Sequence, residues 1–273
     1  MTEEHGVSVT RACQAARLSR AAFYKPGIDP VARDAEVIAA LESVVADEQR
    51  WGFWKCHDRL RALGHKWNHK RVWRVYCQLR LNLPRRTKRR VPTRERQPLF
   101  VEPRMNAVWA IDFMRDTLYS GKVFRTFNVI DEANRGALGI DIAVSIPASR
   151  VVAFLEQLID MHGRPKAVRC DNGPELTSQV FTDWCGQQGI KTRYIEPGKP
   201  DQNAYIERFN RTYRDEVLSA YLFESLTEVR DLTEEWLDRY NEIRPHDALG
   251  SLPPARYREL LLATWNSSFE LST

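Results

Sequence analysis

The sequence predicts an α/β protein, a mixed sheet covered by helices and preceded by a basic all-α region. Three observations carry that prediction. From about residue 106 the apolar residues alternate through three short runs, then switch between helical and extended periods in the order βββαβαβα. The charge is split, with residues 1–100 holding 21 Lys/Arg against 10 Asp/Glu, and residues 101–273 holding 20 against 26. Within Arg50–Arg96, 16 bases meet only two acids, Asp58 and Glu95. A small-molecule enzyme needs no such block, whereas a polyanion partner, above all nucleic acid, accounts for it. A solvated basic helix with no partner is the ordinary alternative.

Hydrophobic residues at 43% and eight Trp describe a folded chain rather than a disordered one. No apolar run approaches the ~18–20 residues of a membrane span, and "MTEEHGVSV" lacks the pattern of a signal peptide. The five cysteines (Cys13, Cys56, Cys77, Cys170, Cys185) are odd in number and scattered, which suits reduced thiols in a cytoplasmic, nucleoid-associated protein.

Along the chain, "SVTRACQAARLSRAAFYK" (8–25) predicts two short helices, with Ser8 and Ser19 as caps. A helix over 34–49 carries Val37, Ile38, Leu41, Val44 and Val45. Leu60 and Leu63 end another, Gly64 turns the chain and Asn68 caps the next. There Val72, Val75, Tyr76 and Leu79 face inward while Lys70, Arg71, Arg74 and Arg80 face outward, the layout of a DNA-reading helix-turn-helix. "PRRTKRRVPTRERQP" (84–98) reads as an extended linker along phosphates, with Arg85, Arg86, Lys88, Arg89 and Arg90 as contacts. His65 and His69 have a zinc-like spacing, but no C-x2-C pair precedes them, and helix-flanking histidines are preferred.

Strands are predicted at 107–116, 122–131, 136–144, 166–171 and 190–196. Helices are predicted at 149–163, with Ser149 as cap and Gly163 as stop, at 176–188, after Pro200, and at 227–243, then a short final helix. In "PGKPDQNAYIERFN", Asp201, Gln202 and Asn203 stand where a helix N-terminus wants acceptors. Ile206, Phe209, Tyr213 and Val217 share one helix face, and a lone acid, Glu207, sits among Arg208, Arg211 and Arg214.

Three acids stand out. Asp112 is a charge inside "WAIDF", Asp171 opens "DNG" where a strand gives way to a loop, and Glu207 lies in the helix after the last strand. Between them lie 58 and 35 residues. Carboxylates ~4–5 Å apart repel by roughly 3–4 kcal/mol at an effective dielectric of ~20, which a hard divalent cation relieves. Two such ions could hold the attacking and leaving oxygens of a phosphodiester in line. Taken singly, each acid also has a plain role: a solvent-facing strand residue, a turn former, and a surface acid paired with Arg211. Asp131, Glu132, Asp141, Glu175 and Glu196 are competing acids nearby.

"WAIDF", "RCDNGPELTS", "GKPDQNAYIERFNRTYRDE" and "YNEIRPHDALG", in that order and spacing, resemble the DDE transposases of bacterial insertion sequences, in particular the two-reading-frame group with a retroviral-integrase-like core. Ala133 and Pro253 stand where many relatives carry an aromatic residue and Thr. The resemblance implies a ribonuclease-H-like catalytic fold and maps the Asp-Asp-Glu triad, as catalytic residues and metal ligands, onto Asp112, Asp171 and Glu207. It implies Mg²⁺ or Mn²⁺, as two ions, and places Lys199, Gln202, Asn203, Arg208 and Arg211 against DNA. The expected division is a helical hairpin at 1–28, a helical DNA-binding domain at 29–83, a basic linker at 84–101, a catalytic core at 102–222 and a C-terminal helical extension at 223–273.

The function so implied is a DNA transposase that binds the element's ends, cleaves to free a 3′-hydroxyl and transfers the strand. Its expected partners are double-stranded DNA, further copies of itself in a synaptic complex, and the upstream-frame protein, with no membrane. The alternative is a non-catalytic DNA-binding regulator derived from such an element, for which the basic half alone suffices. A ribonuclease acting on RNA–DNA hybrids is a third reading, disfavoured by the basic helix-turn-helix.

Overall fold

The computed structural model describes residues 6–24, 30–84, 101–196 and 200–270. Helices α1 (Val9–Ala15) and α2 (Arg20–Tyr24) form the expected hairpin. The Ser19 hydroxyl accepts from the Ala22 N–H at 3.1 Å, whereas Ser8 caps α1 without its side chain. Only the Ser8 carbonyl is engaged, by the Ala12 N–H.

Helices α3 (Pro30–Asp47), α4 (Phe53–Ala62) and α5 (His69–Gln78) close around Val37, Leu41, Leu60, Val72 and Val75, none more than 1% exposed. Gly64 makes the turn with φ 94°, a conformation glycine adopts freely. Asn68 caps α5, its side chain accepting from the Lys70 N–H at 2.9 Å.

The sheet contains β1 (Val108–Thr117), β2 (Val123–Asp131), β3 (Ala137–Ala143), β4 (Ala167–Cys170) and β5 (Lys191–Tyr194), ordered β3-β2-β1-β4-β5. The first three form an antiparallel meander, and β4 and β5 run parallel to β1. This is the ribonuclease-H-like arrangement that the family resemblance implies, and the mixed sheet expected from the element order. Helices α6 (Ala148–His162) and α7 (Gln179–Gln188) cover one face. The other is covered by α8 (Ala204–Tyr213), a π turn at Arg214–Leu218 and α9 (Leu226–Glu242).

Period two in β1 decides what each face receives. Trp109, Ile111 and Phe113 pack toward α6 and α7, and Ala110 and Met114 toward α8 and α9. Asp112 falls between Ala110 and Met114 in that alternation, which aims it at the α8 side.

Two expected ends differ. The cap of α6 is Pro147, with Ser149 inside the first turn, while Gly163 (φ 88°) stops the helix as expected. Helix α10 (Pro254–Glu270) has 17 residues and is longer than the short helix anticipated. The segment from 223 onward is packed into the α8 layer, since Phe223, Val229, Trp236 and Tyr240 share one cluster with Ile206, Phe209, Tyr213 and Val217.

The α3–α5 module docks on the same side. Ile243 packs against its core, and the Arg239 guanidinium meets Glu48 at 2.8 Å and the Asp47 carbonyl. Among the described residues, no helix is long and apolar enough to cross a membrane. All five cysteines are free, and four of them are buried.

Candidate active site

The register of the sheet brings the two aspartates together. Strands β1 and β4 pair as Val108 with Ala167, Trp109 with Val168 and Ala110 with Arg169, an offset of 59 residues. Continued by two residues, that offset sets Asp112 level with Asp171, just beyond the last residue of β4. At Asp171 the chain turns, and its Oδ1 accepts from the Gly173 N–H at 3.1 Å. A Cβ at Gly173 would lie 3.1 Å from that same oxygen, so glycine lets the carboxylate fold over its own turn.

Asp112 is half-buried and held by two donors. Its Oδ1 accepts from the Phe113 N–H at 2.8 Å and its Oδ2 from the Asn210 side chain at 2.7 Å. Burial pushes its pKa up to about 6, and the charges of Asp171 and Glu207 push the same way against those two donors. Asp112 therefore feels the charge of both other acids.

Glu207 lies in the first turn of α8, exposed, with no ion pair or hydrogen bond from its side chain among the described residues. The surface pairing with Arg211 allowed by their spacing is not formed. The competing acids all have partners. Asp131 accepts from the Asn106 and Ala133 N–H groups, Glu132 pairs with Arg169, Asp141 with Arg150, Glu175 with Arg125, and Glu196 with Gln202. Among the described residues, Asp112, Asp171 and Glu207 have no cationic partner: neutral N–H donors reach the two aspartates, as they do Asp131.

Three oxygen donors with no cation against them suit a hard divalent ion. Among the described residues, no three His, Cys, Asp or Glu side chains stand close enough as placed to hold a metal. His65 instead stacks on Trp67, with ring centroids 4.2 Å apart.

Asn210 escaped the sequence reading. It is 8% exposed, donates to Asp112 and accepts from the Asn128 side chain at 2.7 Å. Asn128 is itself fully buried and stands opposite Asp112 in the β1–β2 register. The signal was present: Asn210 is an amide among Ile206, Phe209 and Tyr213 on a buried face, three residues after Glu207 and so beside it on the helix.

The expected DNA contacts fall in different settings. Lys70 is exposed at the start of α5. Arg71 and Arg74 turn back onto Asp34 of α3, at 2.9 and 2.5 Å, and Asp34 is only 1% exposed. Arg74 first, then Arg71, hold the Asp34 carboxyl down at about 2. Gln202 braces Glu196 through its backbone and side chain. Asn203 is 4% exposed, with an Oδ1 lacking a partner and no capping bond to α8. Arg208 is exposed, 3.7 Å from Asp247, and Arg211 is exposed and unpaired. Arg85, Arg86, Lys88, Arg89, Arg90 and Lys199 lie outside the described residues, as does nearly all of the expected linker.

A ribonuclease-H-like sheet with Asp112 and Asp171 level on adjacent parallel strands, joined to a basic three-helix module, is the architecture of an integrase-core protein. The family comparisons agree: residues 102–200 and 188–254 match the Integrase core domain, and residues 32–89 match the HTH-like domain. The chain is 39% identical over 257 residues to the 39.2 kDa protein of insertion element IS476 from Xanthomonas euvesicatoria, covering 94% of this chain and 74% of that one. It is 36% identical to the 31.7 kDa protein of insertion element IS407 from Burkholderia multivorans, covering 93% and 92%. A transposase for insertion sequence element IS629 from Shigella sonnei is 27% identical, covering 60% and 56%. Among solved structures, the chain is similar to the HTLV-2 integrase catalytic core domain in complex with magnesium, with TM-score 0.46, 18% identity, and coverage of 56% of this chain and 95% of that one. The chain belongs to the transposase family of bacterial insertion sequences.

Proposed function

We propose that this protein binds the ends of its insertion sequence, cleaves one strand to free a 3′-hydroxyl and joins that hydroxyl to a second phosphodiester. The observation that supports the proposal is the β1–β4 register, which sets Asp112 level with Asp171, with the charge of Glu207 also acting on Asp112, while each competing acid nearby is bonded elsewhere. Asp112, Asp171 and Glu207 would hold Mg²⁺ or Mn²⁺, which supplies charge neutralisation at the attacking and departing oxygens when bound.

The chain's own residues prepare that chemistry. The Phe113 N–H and Asn210 fix the Asp112 carboxylate, and the Gly173 turn aims Asp171. Glu207 is exposed at the first turn of α8, and its charge acts on Asp112. In hydrolysis a water oxygen forms one P–O bond as the bond from phosphorus to the 3′-oxygen breaks, and that oxygen takes up a proton from water to leave as the 3′-hydroxyl. Strand transfer then forms one P–O bond as another breaks, so no covalent bond to the protein is required. Arg208 and Arg211, flanking Glu207 on the exposed side of α8, hold phosphates beside the scissile bond, and Lys70 touches the duplex from the helical module. Two copies bring the two ends together.

The test uses a labelled duplex carrying the element's end, with Mg²⁺ or Mn²⁺. Asp112→Asn, Asp171→Asn and Glu207→Gln each lose nicking and joining while binding the duplex as wild type does. Substantial cleavage by all three variants overturns the triad. Binding without cutting by the wild type makes the protein a regulator.

A further inference from the structure

A cleft of about 750 Å³ runs from Glu207 to the seam between the helical module and the catalytic layers. Arg50 and Lys55 line it from the module, and Arg208, Arg211 and Arg244 from the catalytic side. Its walls are fixed to each other through Arg239 on Glu48 and Ile243 in the module's core. It is a built seam, not a gap between loosely tethered parts.

The charges in this seam do not cancel. Arg244 is matched by Glu216, which also accepts from the Trp236 indole. Asp247 reaches Arg208 only at 3.7 Å between two exposed side chains, an interaction worth little. Among the described residues, Arg50, Lys55 and Arg211 make no side-chain hydrogen bond or ion pair. Lys55 is the telling one, because its half-buried ammonium has no ion pair or hydrogen bond among the described residues, and Glu216 and Asp247 only partly offset burial and Arg244. Burial, with Arg244 adding to it, brings its pKa down to about 8. Nearby, His246 is kept neutral by burial and by Arg244, its pKa near 3, and its buried Nε2 has no partner. Withdrawing an ammonium from water without an anion is unfavourable, and a ligand that supplies the anion recovers that cost.

We infer that this seam is a binding site for DNA backbone phosphates, in which Lys55 and Arg50 of the helical module and Arg211 of α8 grip the same strand. The inference rests on the transposase reading for the identity of the polyanion. A strand rather than a lone anion fits, because the unmatched cations come from two separate modules along a cleft that opens at Glu207. The helical module therefore serves the catalytic site of its own chain, gripping the strand next to the scissile bond in addition to any duplex it reads elsewhere.

The experiment measures binding of a fluorescent random-sequence duplex to the full chain, without divalent metal, across a salt series. Each phosphate contact contributes about 0.9 to the slope of log K against log salt. Lys55→Gln is expected to lower the slope by about 1 and weaken binding several-fold at low salt, and Lys55→Gln with Arg50→Gln to lower it by about 2. Lys55→Arg, which keeps the charge, retains the wild-type slope. Thermal unfolding checks each variant, and if Lys55→Gln is unfolded, the exposed Arg50→Gln carries the test with an expected loss of about 1. Wild-type slopes in folded variants overturn the seam site. Because cleavage is not read, that outcome leaves the triad untouched, and cutting by the triad variants would leave a measured slope loss standing.

Discussion

Asn210→Ala tests how the site is held. The Asn210 side chain bridges Asn128 and Asp112 with two hydrogen bonds of 2.7 Å, in a place where it is only 8% exposed. Truncation leaves the Asn128 amide and one Asp112 oxygen without that partner. Each buried group so orphaned costs about 1–3 kcal/mol, with a charged acceptor at the upper end, for a loss of about 2–5 kcal/mol. Asn128 offers no repair, since its Oδ1 already lacks a partner. Partners of metal-binding carboxylates are worth about 10–100-fold in metal affinity or activity. The assays are urea unfolding without metal, and initial cleavage rate against Mg²⁺ concentration. The variant is expected to unfold at lower urea and to need about tenfold or more Mg²⁺ for half-maximal cleavage, with duplex affinity unchanged. Asn128→Ala, one bond further from the acid, gives a smaller rise in the same direction. Cleavage by Asn210→Ala at wild-type rate with the wild-type Mg²⁺ requirement refutes the reasoning.

Two further changes probe the scaffold. Asp34 is an acid whose pKa is lowered to about 2 from 3.8, so its contribution to stability is present above pH ~4 and drains away as pH falls from 3.8 toward 2. Asp34→Asn should lower the thermal midpoint at neutral pH and flatten the acid-unfolding limb in that window, and an unchanged limb would place the binding energy elsewhere. Gly139→Ala would set a Cβ 2.9 Å from the Phe154 ring and 3.0 Å from Leu158, both on α6. Overpacking of this kind costs about 1–3 kcal/mol in denaturant unfolding, and an unaltered midpoint would mean that α6 yields freely.

The elements of the catalytic layers were legible because each follows a single period. "WAIDFM" alternates and forms β1, and Ile206, Phe209, Tyr213 and Val217 keep a helical spacing and are all buried. Pairings over long separations were not legible. Arg71 and Arg74 read as outward-facing cations, yet both bind Asp34, 37 and 40 residues earlier. Arg169 and Glu132, or Arg125 and Glu175, pair just as remotely, so the spacing of acids could not separate bonded carboxylates from unbonded ones. The cap of α6 was misplaced because Pro147 can occupy the position without a side-chain acceptor, using its fixed φ instead.

Helix α8 rests on aromatic side chains supplied by α9. Trp236 approaches Phe209 to 5.6 Å and Tyr213 to 5.1 Å, and Tyr240 stands 5.1 Å from Phe209. During synthesis the helical module and the strands bearing both aspartates leave the ribosome before this floor exists. On the proposed reading, the acid that completes the triad is therefore the last of the three to be seated as the chain emerges.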